Sequence, residues 1–402
     1  MGGVDGVDAV LAGSAPRAVG PMTERAARRL LTLCAEGGDA RLGARVAAVG
    51  AVAAAAEIVR GASPLAHAAD LATRLPSGLP DPSFCGDLED VVEALTPGGA
   101  DRDMRFVIPG DAEWPSQLHD LGPRAPLGLW VSGAGSLRLL ALRSVSIVGS
   151  RAATSYGEAV ARAFSADLAE HGWCVVSGGA FGIDAAAHRG ALSAGGSTVC
   201  VLAGGVDVAY PRSHASLLDA IRSEGLLVSE APPGSAAMRH RFLTRNRVIA
   251  ALTRGTVVVE AAQRSGSRTT AREASELGRL VMAVPGPVTS VMSGGCHDLV
   301  REGVAVLIAT PDHVRELVGP LEVDPADGLE AASPGGPGGQ ADLLSPREAR
   351  VLDAVPLRRA AELSSLSRVA GIAPADVLAA LGILEASGLI RRSAEGWQRR
   401  RA

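Results

Sequence analysis

From Val145 onward the hydrophobic positions fall into short β-branched runs: Val145–Val148, Cys174–Val176, Thr198–Leu202, Leu226–Val228, Thr256–Val259, Leu280–Val284 and Ala305–Ile308. Helix-length amphipathic segments separate them. This alternation predicts a parallel α/β sheet covered on both faces. Right-handed crossovers then bring the C-terminal end of every strand, and the glycines that follow it, to one edge. Upstream, residues 23 to about 75 read as helices. Thr23 caps TERAARRLLTLCAE, with Leu30, Leu31 and Leu33 near one face, and Arg41 to Arg60 continues as an alanine-rich helix. A proline- and tryptophan-containing connector, FVIPGDAEWPSQLHDLGPRAPLGLWVSG, follows, with apolar residues that pack it onto the domain after it. Residues 321–342, including SPGGPGGQ, read as a flexible linker. In 343–402, Ser345-Pro346 opens a helix, LSSLSRVAGIAPADVLAALGILEASGLIRR reads as helix, turn, helix, and RRSAEGWQRRR as a β-wing.

At 402 residues the chain has room for two to three domains. An apolar content of 47% excludes an intrinsically disordered chain, and 3% aromatics leave alanine, valine and leucine to build the core. All 39 basic residues are arginine. The net charge of -4 gives no whole-molecule attraction to nucleic acid or anionic lipid, so any nucleic-acid site must be a local patch. Residues 343–402 hold ten arginines against six acids, so basic charge is concentrated in the tail. An acidic cluster, Asp87, Glu89, Asp90 and Glu93, reads as a solvated helix face. Cys34, Cys85, Cys174, Cys200 and Cys296 are scattered without a CxxC pair, against a disulfide scaffold or a zinc site. The N-terminus lacks a basic n-region, and the longest apolar run, Val46 to Ala56, is short of the roughly 20 residues of a membrane span. A soluble, cytoplasmic protein without membrane contact is the expectation.

The first strand runs into Gly149-Ser150-Arg151 ahead of a helix starting near Tyr156. Backbone N–H groups there can face an anion, the helix N-terminus favours negative charge, and Arg151 can clamp a phosphate. The second strand ends in Ser177-Gly178-Gly179-Ala180-Phe181-Gly182-Ile183-Asp184. These glycines allow close phosphate approach, or equally serve tight βα turns. With no lysine, a Walker-type NTPase is excluded. Arg212 sits at the same predicted edge, where taken alone it reads as an exposed loop arginine rather than a ligand contact. Between Ala231 and Val259 stand Arg239, Arg241, Arg245, Arg247 and Arg254, with no acid among them and Phe242 inside the cluster. Clustered arginines neutralise phosphates and an aromatic can stack on a base. Ser265-Gly266-Ser267 forms a donor-rich loop for phosphate or ribose, or a simple helix cap. Asp184 and His188, one helical turn apart, read as capping and packing rather than catalysis.

In order, VSIVGSR (145–151), SGGAFGIDAAAH (177–188), GGVDVAYP (204–211), SEAPPG (229–234), RFLTRNRVIAAL (241–252), VVVEAAQRSGSRTTA (257–271), AVPGPV (283–288) and GGCHDLVREGV (294–304) resemble the DprA/Smf family of DNA-processing proteins of bacterial natural transformation. The resemblance covers roughly 105–318. It implies an N-terminal helical, SAM-like domain over 1–100, and an extended Rossmann-like, mostly parallel domain over 101–320. The linker 321–342 and a C-terminal winged-helix domain over 343–402 complete it. It also implies a cytoplasmic, non-enzymatic homodimer without cofactor that binds and protects single-stranded DNA and loads the RecA recombinase. Carried over, Gly149, Ser150 and Arg151 hold a DNA phosphate, with Arg212 and Arg239 as further clamps. Gly178 and Gly179 line the groove, Phe242 contacts a base, Arg245, Asn246 and Arg247 line its pocket, and Ser265, Gly266 and Ser267 form the glycine loop. Three departures stand out. Phe181 replaces a usually basic residue, which removes a phosphate contact or adds a stacking surface. Groove lysines are arginines here, and Gly294 replaces an often larger residue.

Two other functions compete. GSRTTARE loosely resembles the loop of phosphoribohydrolases, with Glu273 as the acid, which would make the chain a nucleotide or nucleoside-phosphate hydrolase on a Rossmann-like sheet. The tail alone would suit a transcription regulator.

Overall fold

The structure is a computed structural model that describes residues 22–73, 104–319, 346–356, 360–370, 372–386, 389–393 and 396–399. Cys85, the acidic cluster at 87–93 and the linker at 321–342 lie outside the described residues. The chain divides into two compact units, the larger carrying residues 22–319 of those described and the smaller those from 346.

The larger unit begins with helices α1 (Glu24–Cys34), α2 (Ala40–Val49), α3 (Ala51–Val59) and α4 (Ala68–Thr73). Thr23 caps α1, its hydroxyl accepting from the N–H of Ala26 at 3.2 Å. The single helix expected over Arg41–Arg60 is instead two, bent by 116° at Gly50. Gly50 has φ +85°, a left-handed conformation that glycine adopts without strain. Leu30, Leu31, Leu42, Ala54 and Ile58 form the core of this layer. Among the described residues no single helix is long and apolar enough to cross a membrane.

The sheet that follows has nine strands: β1 (Met104–Val107), β2 (Leu129–Ser132), β3 (Ser144–Val148), β4 (Cys174–Ser177), β5 (Thr198–Val201), β6 (Leu226–Ser229), β7 (Gly255–Val258), β8 (Leu280–Ala283) and β9 (Val306–Leu307). Their order is β1-β2-β6-β5-β4-β3-β7-β8-β9. From β6 to β9 every pairing is parallel, as expected; β1 and β2 add an antiparallel edge. Strand β2 and the second half of β1 fall in the connector, where no strand was expected. Each has only four residues, and they are separated by a 3-10 segment, Ser116–Arg124, too short and interrupted for periodicity to show. Helix α1 docks on this ribbon: Arg28 donates to the Leu127 carbonyl at 2.8 Å, and Arg29 lies 5.0 Å over the Trp130 ring.

Between strands run α5 (Leu137–Leu142), α6 (Ser155–Glu170), α7 (Ile183–Ser193), α8 (Ala215–Glu224), α9 (Arg239–Leu252), α10 (Ser267–Glu276), α11 (Gly294–Arg301) and α12 (Pro311–Val318). The pleat sends alternate residues to opposite faces. Val145, Ile147, Val175 and Val257 enter one core with α6 and α7, and Val148, Val176 and Val258 enter the other with α9 and α10. Helix α9 is buried on every side from Arg245 to Leu252. That accounts for its lack of a polar stripe.

The strand order reverses between β3 and β7. Chain direction from β3 builds outward through β4, β5 and β6 on one side and through β7, β8 and β9 on the other. The loops after β3 and β7 therefore diverge and leave a crevice at the C-terminal edge, where ligands of open α/β sheets bind.

The smaller unit holds α13 (Pro346–Ala354), α14 (Leu363–Ala370), α15 (Pro374–Ala386) and an antiparallel pair, β10 (Ile390–Ser393) and β11 (Gly396–Arg399). Val351, Leu366, Val377, Leu381, Leu384 and Trp397 form its core. The helix opened by Pro346, the helix-turn-helix and the hairpin match the elements read from the tail.

Candidate nucleic-acid interface

A cleft of about 440 Å³ opens at the crevice between the β3 and β7 loops. Gly149, Ser150 and Arg151 line one wall, Phe242, Arg245 and Asn246 of α9 a second, and Ser265, Gly266 and Ser267 a third. The fold thus brings together three segments spread over more than a hundred residues of sequence. Asn246 ties two walls by donating to the Gly266 carbonyl at 3.3 Å.

The β3 loop is packed tightly against its own neighbours. A Cβ on Gly149 would meet Ile183 Cγ1 at 2.5 Å and the Glu260 carbonyl at 2.9 Å, so only glycine fits. Ser150 is locked by its N–H to the Glu260 carbonyl at 2.7 Å, and its Oγ accepts from Ala152 at 3.2 Å. The N-terminus of α6 was expected to face an anion. It is already occupied: Glu260, buried, accepts from the Thr154 N–H at 2.8 Å and from Thr154 Oγ1 at 2.6 Å. Its carboxylate takes the favourable end of the helix dipole. The exposed cation beside it is Arg151, on the loop just before. The Arg151 guanidinium lies 4.8 Å from the Phe242 ring centroid.

Phe242 belongs to none of the buried core clusters; its ring leans on Tyr210 at 5.4 Å between centroids. It is half-buried, with Arg151 above it and the cleft in front. Arg264, on the Ser265 loop, is exposed and also lines the cleft. Among the described residues, none of Arg151, Arg212, Arg239 and Arg264 makes an ion pair. Arg212 and Arg239 are exposed outside the cleft, Arg212 two residues from Tyr210 and Arg239 one helical turn before Phe242.

Several expected contacts face protein instead. Arg247 is 2% exposed, and its Nη2 donates to Glu230 Oε1 at 2.6 Å. It does not line the cleft. Arg245 lines the cleft floor but is buried, donating from Nη1 to the carbonyls of Gly178 (2.9 Å) and Val201. Arg241 is gripped by Glu36 at 2.7 and 2.9 Å, and Arg254 donates to the carbonyls of Leu142 and Val318. The bond from Arg241, with His240 3.2 Å away, holds the Glu36 carboxyl below its ordinary range. Of the five arginines between Ala231 and Val259, only Arg239 is exposed with neither an acidic partner nor a main-chain acceptor among the described residues. Gly178 and Gly179 are buried and do not line the cleft. A Cβ on Gly178 would sit 2.3 Å from Arg245 Nη1, so this glycine makes room for an arginine rather than for a phosphate. Gly179, at φ +67°, turns its carbonyl to accept from His214 Nδ1 at 3.1 Å.

Asp184 is the carboxylate in the cleft wall. Burial raises its pKa, opposed by the charge of Arg245 and by the N–H of Ala180. Glu273, the acid of the hydrolase reading, is held by Arg124 through two bonds of 2.9 Å and does not line the cleft. Burial pushes the Cys296 thiol up to about 12, which removes it as a nucleophile at neutral pH.

His188 lies fully buried behind Asp184, its Nδ1 2.8 Å from Thr198 Oγ1. Burial, aided by the charge of Arg245, lowers its pKa from 6.5 to about 3. The unfolded chain thus takes up a proton below pH 6.5 that the folded chain refuses, and stability is lost as pH falls from 6.5 toward 3. Relative to a His188→Gln variant, the wild type should lose up to about 1.4 kcal/mol per pH unit across that window. Thermal melts of both at pH 7, 6, 5 and 4 check it; a constant difference would refute it.

Sequence reasoning missed Arg264, Tyr210 and Glu260. Arg264 stands in the quoted serine loop, and Tyr210 precedes a proline at an expected strand end, so both carried a local signal. Glu260 reads as an ordinary residue after a strand until the fold sets it over α6.

Residues 105–319 match the family model described as DNA recombination-mediator protein A. The chain is 47% identical over 311 residues to a DNA processing protein DprA of Mycobacterium tuberculosis, covering 75% of this chain and 78% of the relative. It is 40% identical over 201 residues to the DNA processing protein DprA of Streptococcus pneumoniae, covering 50% of this chain and 69% of the relative. The X-ray structure of DprA from Streptococcus pneumoniae superposes with a TM-score of 0.57 at 29% identity, over 74% of this chain and 98% of that one.

Proposed function

The chain belongs to the DNA recombination-mediator protein A family, and from that premise we propose that it binds single-stranded DNA in the crevice between the β3 and β7 loops. In this reading it acts in the cytoplasm as a homodimer, without cofactor and not as an enzyme. It protects incoming single strands and loads RecA onto them. The smaller unit acts as a winged-helix module.

One observation carries the reading: Arg151, free of any ion pair among the described residues, is poised over Phe242 at the mouth of the cleft. A guanidinium beside an aromatic ring matches a nucleotide's two chemistries, phosphate charge and base face. Only a single strand offers both at once, since duplex bases are stacked on one another. Arg264 extends the positive wall, and Gly149, Ser150, Asn246, Ser265, Gly266 and Ser267 supply the close backbone and polar surface. Arg212 and Arg239 take flanking phosphates. The displacement of Glu273 into an ion pair with Arg124 argues against the hydrolase alternative.

A salt series on the full chain with single- and double-stranded oligonucleotides tests this. Single strands should bind more tightly throughout, with affinity falling as salt rises. Arg151→Ala should weaken binding and flatten the salt slope by about one phosphate's worth. Equal affinity for both forms of DNA, or a slope indifferent to Arg151, would overturn the proposal.

A further inference from the structure

We infer that Phe181 is a second base platform, so that Arg151 holds the phosphate between two stacked bases, one on Phe181 and one on Phe242; this rests on the single-strand reading above. The chain has only five phenylalanines and two tyrosines. Phe181 and Tyr210 stand at this one edge, each with about half its surface open, at 49% and 48%. Large apolar rings left in water at a sheet's binding edge are costly unless something covers them.

Phe181 is a fixed surface and not a loose side chain. Its ring stands edge-on to His214 at 4.7 Å, and His214 is itself buried and anchored to the Gly179 carbonyl. Glycines at positive φ, Gly179 and Gly182, bracket the turn that presents it. That turn is pressed against the β3 loop: a Cβ on Gly182 would lie 2.3 Å from the Ser150 carbonyl oxygen and 2.8 Å from that of Arg151. Phe181 therefore adjoins the backbone of Arg151, while the side chain of Arg151 extends to Phe242. The segment from Tyr210 to His214 backs both rings, Tyr210 behind Phe242 and His214 behind Phe181, with Arg212 exposed between them.

Along this edge the order is Phe181, Arg151, Phe242, and a dinucleotide step offers base, phosphate, base in the same order; every base has a face to stack, so the step is read without sequence preference.

The test uses the full chain with oligothymidylate carrying a single 2-aminopurine, walked along the strand. Wild type should show two protected fluorescence minima. Phe181→Ala should lose one of them and lower affinity by about five- to a hundredfold, with the salt slope and melting temperature unchanged; Phe181→Trp should restore binding. If Phe181→Ala binds like wild type while Phe242→Ala is weakened, the second platform is refuted and the single-strand reading stands. If both variants bind like wild type, the reading of the cleft itself fails. If Phe181→Ala only lowers the mass seen by light scattering, the ring faces a second copy of the chain and the inference is overturned.

Discussion

Glu230→Ala should lower the stability of the larger unit by about 3–5 kcal/mol, the largest single effect expected outside the hydrophobic cores. Glu230 is the acidic partner of Arg247, whose side chain is 2% exposed. The Nε and Nη1 of Arg247 find no other acceptor among the described residues. The loop after α1 presses on the pair from outside. A Cβ on Gly38 would lie 2.7 Å from Arg247 Nε, and one on Gly37 2.7 Å from Glu230 Oε2. Removing the carboxylate leaves a guanidinium in low dielectric with one-sided contacts and no room to swing out. The expected melting shift is on the order of 10 °C. The double variant Glu230→Ala, Arg247→Met should recover most of the loss, because a buried ion pair replaced by apolar atoms is close to neutral. If the double variant is as unstable as the single one, packing rather than the uncompensated charge sets the cost.

Phe242→Ala should cost about 1–3 kcal/mol of single-strand affinity. The ring belongs to no core cluster and rests on Tyr210 and under Arg151, so its removal exposes no interior. The melting temperature should therefore move little, and the salt slope should stay where it is, since no charge is lost. Arg151→Ala gives the opposite signature, a flatter slope. The two variants together separate stacking from charge. A collapse in thermal stability with Phe242→Ala would make the ring a structural prop for α9, and the base-contact assignment would fall.

The parallel strands were legible because their signals are local. A run such as SVSIVGSR carries its own β-branched residues and its own terminating glycine, and burial on both faces requires continuous apolar runs. The same holds for Thr23 as a cap, Pro346 at a helix start and the serine loop before α10. Given the order of those strands, the edge at which Gly149, Arg151 and Ser265 gather follows from crossover handedness alone. Strands β1 and β2 escaped notice because four residues beside a proline-containing turn have no period to detect; what makes them strands is the pairing of β2 with β6, far away in sequence, and of β1 with β2.

Charge was the quantity the sequence could not assign. The stretch from Ala231 to Val259 has five arginines and no acid, which reads locally as a phosphate-binding patch. The fold supplies partners from elsewhere: Glu36 from the helical layer for Arg241, Glu230 from the end of β6 for Arg247, and main-chain carbonyls for Arg245 and Arg254. Conversely Arg264, beside no obvious cluster, is left at the cleft without an acidic partner among the described residues. Apolar burial is decided by each residue's own transfer free energy, so its pattern is written along the chain. An ion pair depends on which two groups meet, and only the tertiary structure brings residues 36 and 241 within 2.7 Å. The sequence by itself thus determined the parallel strands, the edge at which their loops gather and the family; the tertiary structure added the antiparallel strands and decided which arginines remain free to meet a phosphate.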